Sequence, residues 1–189
     1  YKRENGTYGI RNYLLIIPAS VCASETAVNI AKLVNGAIAI PHQHGCCEIG
    51  DDFETTKRTL VGFGKNPNVG AVLVVGLGCE GIQAKEIADE IAESGKPVDY
   101  IVIQDECGTC KTVAKGVEIA GKMSRELAKQ NKTEFDISEI ILGLECGGSD
   151  PTSGLASNPT IGVASDMLVN DGGSSILSET TECIGAEHL

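Results

Sequence analysis

The sequence predicts an α/β protein with an open, mostly parallel sheet of about five or six strands and helices on both faces. Two observations lead to this prediction. Short runs of aliphatic and β-branched residues alternate along the chain with longer amphipathic segments. The short runs are also apolar without interruption, as in parallel strands that are covered on both faces.

The first three strand and helix pairs fill the first half of the chain. YLLIIPA is followed by the amphipathic segment SETAVNIAKLVN, and GAIAIP is followed by DDFETTKRTLVGFG. VGAVLVVG is the longest apolar run, and IQAKEIADEIAESG follows it with a helical period. These alternating periods predict three successive β/α units.

The second half continues the pattern. YIVIQ precedes the long amphipathic segment CKTVAKGVEIAGKMSRELAKQN. EIILGL is followed by a Gly/Pro-rich loop and a helix around VASDMLVNDGG, and SSILSE is the last predicted strand. The complete series indicates a Rossmann-like or flavodoxin-like arrangement, and we expect one domain over residues 1–189.

The charge of the chain excludes some classes of partner. The 189 residues include 15 basic and 26 acidic side chains, for a net charge of -11. Such a chain repels nucleic acid and anionic membrane surfaces unless its basic residues form a patch, and none is evident in the sequence. No apolar run approaches the roughly 20 residues that span a bilayer. We therefore expect no nucleic-acid or membrane partner.

The cysteines favour thiol or metal chemistry. The chain has eight cysteines and no signal peptide at its start, so we expect a cytoplasmic location and reduced thiols rather than a disulfide framework. Cys22 and Cys183 lie beside apolar helix positions, which predicts buried, core-like thiols. Cys46, Cys79 and Cys146 instead each have a glycine beside them and acids close by.

Polar, thiol or imidazole side chains follow every predicted strand. Ligands of open α/β sheets bind outside the carboxyl ends of the strands, so these segments should share one edge. The segments are SVCAS, HQHGCCE, GLGCEG, DECGTC, ECGGSD and SETTECIGAE.

Two motifs have alternative interpretations. Gly76, Gly78 and Gly81 form G-x-G-x-x-G between a strand and a helix, as in dinucleotide-binding loops, but Glu80 would place a negative charge there. Cys107 and Cys110 have the C-x-x-C spacing of a thioredoxin-like redox pair. Both alternatives stay open.

A metal centre would use residues from several strand ends. Cys46, Cys79 and Cys146 come from three different ends and could hold iron with a fourth position open to substrate. His42 and His44 should point the same way in an extended segment and could instead bind a single Fe(II) together with carboxylates. The residues do not choose between these sites.

Several segments are similar to one known family. They are YKRENGTYGIRN, H-x-G-C, GLGCE, ECGTC, LECGGSDPTSG with a following Asn-Pro, and SETTECIGAEHL. Together they resemble the altronate/galactarate dehydratase family, which includes the large subunit of sulfolactate sulfo-lyase. The resemblance runs along the whole chain.

The resemblance implies a function and a larger protein. Members of the family eliminate water or sulfite from a 2-hydroxy acid and depend on iron, as Fe2+ or an iron-sulfur cluster, or on another divalent metal. It also implies a small SAF-type domain or subunit, a further C-terminal region, a homo-oligomer and a hydroxy-acid substrate. The chain is therefore expected to be a fragment of a longer dehydratase.

An elimination of this kind gives each candidate residue a role. Removing a proton beside a carboxylate requires a nearby base and neutralisation of the carboxylate. For the acids, a helix-capping or first-turn role is an equal alternative. The catalytic candidates are His42, His44, Glu80 and Asp150; the substrate-binding candidates are Arg11, Asn12, Glu106, Gly147, Gly148 and Ser149; the metal ligands are Cys46, Cys79 and Cys146.

Overall fold

The computed structural model describes residues 1–145, 147–148 and 150–188. The chain divides into two compact units, Tyr1–Thr133 and Glu134–Leu189. Each unit contains its own sheet. In the described ranges, no helix is both long enough and apolar enough to cross a membrane.

The first unit alternates strands and helices throughout. Its strands are fully or largely apolar where they are central, and each helix carries its apolar residues on one side. In chain order the elements are β1 (Tyr13–Pro18), α1 (Val21–Leu33), β2 (Ala37–Ala39), α2 (Gly50–Lys65), β3 (Val69–Gly76), α3 (Ala84–Ala92), β4 (Val98–Val102) and α4 (Thr109–Leu127).

The four strands of this unit form a parallel sheet in the order β2-β1-β3-β4. The chain therefore proceeds from β1 to one side and then returns to the other side of β1. In doubly wound sheets, this reversal opens a crevice between β1 and β3 at their carboxyl ends. The order thus predicts where a ligand of this unit would bind.

The core of the first unit consists of two apolar layers. Alternate residues of β1 and β3 face opposite sides of the sheet, as the period of two requires. Leu14, Ile16 and Leu73 pack with α1 and α4 on one face. Leu15 and Ile17 pack on the other face with the apolar residues of α2 and α3. Both faces of the sheet are therefore covered.

The second unit is a smaller strand, helix and strand arrangement. The parallel strands β5 (Ile141–Leu144) and β6 (Ser174–Leu177) flank α5 (Asn158–Asn170), which follows a π-helical turn at Ser153–Ser157. The Ser165 hydroxyl on α5 donates to the Ser175 hydroxyl at 2.8 Å. None of the described residues of this unit is fully buried.

The α/β class and the parallel pairing predicted from the sequence are confirmed. The structure differs in one respect, because the six strands lie in sheets of four and two rather than in one continuous sheet. The segment between α4 and β5 is mostly polar and exposed and contains no strand. One domain over 1–189 stays a prediction.

Candidate active site at the carboxyl edge

The carboxyl edge of the first sheet carries exposed thiols after each strand. Because β1 to β4 are parallel, the segments that follow them begin at the same edge. Cys22 follows β1, Cys46 follows β2, Cys79 follows β3 and Cys107 follows β4. All four side chains are exposed and none forms a disulfide.

The loop between β2 and α2 is bound to the carboxyl end of β1. The backbone N–H of Val21, at the start of α1, donates to the His44 carbonyl oxygen at 2.8 Å. Gly45 has a φ of +86°, and a Cβ there would overlap the Ala19 carbonyl oxygen. Only glycine allows the backbone to approach so closely in this conformation. The loop therefore crosses the end of β1, which brings His44 and Cys46 toward the crevice.

His42 is held by the backbone through both ring nitrogens. Its Nε2 lies 2.8 Å from the Pro18 carbonyl oxygen, which can only accept, so Nε2 carries the proton. Its Nδ1 accepts the backbone N–H of His44 at 3.2 Å. In this arrangement His42 has no free nitrogen for a metal or a substrate proton, and its ring orients the loop.

His44 forms a pair with a carboxylate. Its Nδ1 lies 3.1 Å from Glu48 Oε1, and the His44 side chain is 68% exposed whereas that of Glu48 is 17% exposed. The other carboxylate oxygen, Oε2, is buried and has no hydrogen-bond partner among the described residues. When Glu48 is ionised it can only accept, so the neutral imidazole carries its proton on Nδ1 and presents Nε2 as an acceptor.

The charge state of Glu48 follows from its surroundings. Burial acts to raise the pKa of Glu48, but the nearby Thr56 hydroxyl, Gly45 backbone N–H and His44 ring outweigh it. The pKa therefore lies below its ordinary value. A half-buried carboxylate that stays ionised near neutral pH can orient the His44 ring, a role that the sequence did not assign to Glu48. The spacing of four residues between the two was the available signal.

A cavity of about 530 Å3 lies beside this pair. The exposed Nε2 of a carboxylate-oriented imidazole is suited to take a proton from a bound molecule. The polar and aromatic residues that line the cavity include His44, Glu48, Asp52, Thr55, Thr59 and Phe63.

Three thiols lie near one another where the loop between β2 and α2 meets the start of α1: Cys46 and Cys47 in the loop, and Cys22 on the helix. The Sγ atoms of Cys46 and Cys47 are 3.8 Å apart, and Cys47 has a φ of 60°. The hydrogen bond with Cys47 raises the pKa of the Cys46 thiol, and the neighbouring Cys22 contributes in the same direction. The prediction that Cys22 is buried is wrong, because this second residue of α1 lies beyond the sheet edge. Cys183 is also exposed, in a 3-10 turn.

The loop that carries Cys79 is closed by Glu80. The Glu80 carboxylate is 5% exposed. It accepts the backbone N–H of Leu77 at 3.0 and 3.1 Å and that of Gly78 at 2.6 Å. The Cys79 side chain lies between these anchors and is exposed.

The same contacts bear on the dinucleotide interpretation. A Cβ at Gly76 would overlap Glu80 Oε1, and Gly78 has a φ of +122° and lies against Gln104. The glycines therefore make room for side chains of this protein, and a carboxylate occupies the N–H groups that would otherwise face a pyrophosphate. This geometry weighs against nucleotide binding.

The residues after β4 form a separate group. Glu106 accepts a hydrogen bond from Lys115 on α4. Cys107 and Cys110 are free, exposed thiols on either side of the start of α4, with Gly108 at the cap. Their C-x-x-C spacing at a helix start is compatible with redox chemistry, which stays an open alternative.

Arg11 and Asn12 lie at the opposite edge of the sheet. They directly precede β1, whose six residues separate the two edges by about 15–20 Å. Asn12 Oδ1 accepts from Arg3 at 2.8 Å, and Asn12 Nδ2 donates to Gln130 at 3.0 Å. The structure thus does not bring these two substrate-binding candidates to the thiols, and Asn12 is part of a structural network.

The second unit carries the remaining candidates. Glu145, Gly147, Gly148 and Asp150 line a cavity of about 440 Å3. Asp150 accepts the hydroxyl and the backbone N–H of Thr152, both at 2.6 Å, and these bonds lower its pKa. This is the geometry of the helix-capping alternative. Cys146 and Ser149 lie outside the described residues.

The three-cysteine centre is therefore described only in part. Cys46 and Cys79 lie at the same edge of the first sheet, and the third proposed ligand is not described. Within the described ranges, no three His, Cys, Asp or Glu side chains are placed to hold a metal ion. The roles predicted for these residues remain predictions.

Comparison with known proteins identifies the family. Residues 1–128 match the model described as "D-galactarate dehydratase/Altronate hydrolase, second domain". Residues 137–189 match "D-galactarate/Altronate dehydratase, C-terminal". The chain belongs to the galactarate/altronate dehydratase family, which confirms the resemblance, and the boundary between the two matches lies near the boundary between the compact units.

Individual relatives match along the entire chain. The beta subunit of (2R)-sulfolactate sulfo-lyase from Chromohalobacter salexigens is 36% identical over 189 residues, covering 100% of this chain and 48% of the relative. The altronate dehydratases of Bacillus subtilis and Escherichia coli are 36% and 33% identical, covering 100% of this chain and 40% of each relative. The chain thus spans about half or less of the length of these relatives.

Proposed function

We propose that the complete protein containing this chain is an iron-dependent hydro-lyase that removes water from a sugar acid such as altronate or galactarate. The family match and the two altronate dehydratases support this reaction class. A galactarate dehydratase from Escherichia coli is also 36% identical over 139 residues. The proposal includes the small SAF-type domain or subunit and a homo-oligomeric assembly.

The observation that carries the proposal is the pair of exposed thiols Cys46 and Cys79 on one sheet edge. Thiolates are soft ligands that suit iron and iron-sulfur clusters, so this donor type fits the group. Cys146 would supply the third thiolate. When bound, the iron would act as a Lewis acid that makes the hydroxyl a better leaving group.

His44 would supply the base from the same loop that carries Cys46. His44 Nε2 would take the proton next to the substrate carboxylate, while Glu48 holds the imidazole by its Nδ1 proton. His42 would hold the loop in place through its hydrogen bonds to Pro18 and His44. The cavity next to His44 would receive the hydroxylated part of the substrate.

A sulfo-lyase is the second candidate. The sulfolactate relative matches the complete chain and has the largest matched share of the relatives compared. Loss of sulfite from a hydroxy acid needs the same proton abstraction with a different leaving group, so the same residues would serve. Only the substrate distinguishes this candidate from the first.

The test uses the full-length protein with its small domain or subunit, purified anaerobically. Iron and acid-labile sulfide are measured, and turnover is measured on altronate, galactarate and sulfolactate. We expect iron in the protein, loss of iron in Cys79→Ser and unchanged iron in Cys107→Ser, which removes a matched exposed thiol at another strand end. An iron-free enzyme that turns over a sugar acid would refute the iron-thiolate site, and turnover of sulfolactate alone would favour the second candidate.

A further inference from the structure

We infer that Glu80 positions the Cys79 thiol at the carboxyl edge of the sheet and takes no part in proton transfer. Glu80 is adjacent to Cys79 in sequence, and its carboxylate points back into the loop rather than out to solvent. The inference rests on the proposed function only where it gives Cys79 a ligand's role.

The first support is that the Glu80 carboxylate already has partners. Both of its oxygens accept backbone N–H groups from Leu77 and Gly78, at distances between 2.6 and 3.1 Å. The side chain is 5% exposed, so no substrate reaches it without displacing these bonds. An acid or base must contact the group whose proton it moves, and Glu80 does not meet that condition.

The second support is that the loop is anchored on both sides of Cys79. Gly78 directly precedes the cysteine and is bound to Glu80, and the Gln83 side chain donates to the Glu80 carbonyl oxygen at 2.5 Å. Ile82 is fully buried in the apolar layer against α2 and α3. Cys79 is therefore the exposed residue of a turn whose neighbours are fixed.

The third support comes from the space around the glycines. Gly76 has no Cβ, which leaves room for Glu80 Oε1, and the positive φ of Gly78 turns its N–H toward the same carboxylate. The loop is thus built around a buried internal anion. Without that anion, the N–H groups of Leu77 and Gly78 would have no partner, and the turn that presents the thiol would lose its geometry.

The experiment compares Glu80→Gln and Glu80→Ala in the full-length anaerobic protein with Cys79→Ser and a matched buried control. The control is Thr112→Val on α4 of the same unit, which removes a fully buried hydroxyl that donates to the Gly108 carbonyl oxygen at 2.9 Å. Hydrogen exchange of the peptide containing Leu77 and Gly78, iron content and the melting temperature are measured for each variant.

The expected results separate positioning from general stability. Removing the charged acceptor in Glu80→Ala should accelerate exchange of the Leu77 and Gly78 amides by about tenfold or more. The iron content of Glu80→Ala should fall to the level found in Cys79→Ser. Glu80→Gln keeps one acceptor oxygen and the volume of the side chain, so it should retain part of the iron. Thr112→Val should lower the melting temperature without changing iron content or exchange in this loop.

Two results would overturn the inference in different ways. If Cys79→Ser loses iron while both Glu80 variants keep it, the positioning role is wrong and the ligand assignment stands. If Cys79→Ser itself keeps its iron, the ligand assignment fails and the inference fails with it. Should Glu80→Ala not fold, Glu80→Gln carries the same comparison because it preserves the packing.

Discussion

Because of Lys96, we expect the free energy of unfolding of this protein to change with pH in the neutral to alkaline range. Its side chain is 7% exposed, and its Nζ donates to the carbonyl oxygens of Gly64 and Asn66 at 2.9 and 2.5 Å, at the end of α2. Burial, helped by the charge of Arg3, lowers the pKa of Lys96 from 10.5 to about 8. In the unfolded chain the ammonium returns to water and to its ordinary pKa.

The direction of the effect follows from proton binding. Between the two pKa values the unfolded state binds more protons than the folded state, so the free energy of unfolding rises with pH. At 1.36 kcal/mol per pKa unit, the burial of the charged form costs about 3 kcal/mol at neutral pH. Roughly 2 kcal/mol of this cost is relieved between pH ~7 and pH ~9.5.

The measurement is urea denaturation of the chain and of Lys96→Met over this pH range. All other ionisable groups are common to both proteins, so the difference between the two curves isolates Lys96. We expect the free energy of unfolding of the unaltered chain to gain about 2 kcal/mol relative to Lys96→Met as the pH rises. Parallel curves would show that the Lys96 ammonium is not desolvated and would refute the reasoning.

Three further predictions concern the loops and helices of the first unit. Gly45→Ala should lower the free energy of unfolding by about 2 kcal/mol or more, because its φ is +86° and its Cβ would overlap Ala19. Gly36→Ala, at φ +78° in open space, should cost clearly less in the same denaturant titration. On α2, a Cβ at Gly64 would collide with Ile91, so Gly64→Ala should lower the free energy of unfolding by about 1–3 kcal/mol. Gly62 faces open space on the same helix, so Gly62→Ala should raise the free energy of unfolding by up to about 1 kcal/mol. Equal shifts of the melting temperature for the two variants would contradict the α2–α3 packing. Because the pKa of Glu48 is lowered, its ionised form stabilises the fold above its ordinary pKa of 4.5, and this contribution is lost as the pH falls below it. Glu48→Gln should therefore have a flatter acid denaturation curve than the unaltered chain, and an unchanged slope would count against the pair with His44.

The sequence was sufficient to predict the architecture of the first unit. Uninterrupted apolar runs such as that of β3 are buried on both faces, and the period of the intervening segments matches the helices that cover them. The convergence of Cys46 and Cys79 on one edge also followed from parallel strand order alone. These properties depend on local patterns, which a single sequence contains.

Other properties depend on which backbone group a side chain meets, and the sequence does not record this. Glu80 and His42 were candidates for catalysis because of their chemistry, yet both are engaged by nearby backbone groups. Asn12 belongs to a network at the amino edge that includes Gln130, a contact across 118 positions. Cys22 was expected to be buried because its neighbours are apolar, but the start of α1 lies beyond the sheet.

The strand order of the first unit has a consequence for synthesis of the protein. β1 is central in the sheet and is made before either of its neighbours, β2 and β3. The fully apolar residues from Leu14 to Ile17 therefore emerge from the ribosome with both strand edges unpaired; β2 provides a partner for one edge once Ala39 has been made, and the edge toward β3 stays open until Gly76 has been made. At roughly 5–20 residues per second, synthesis of β3 is completed several seconds after that of β1. During this interval β1 is a segment that a nascent-chain chaperone would shield.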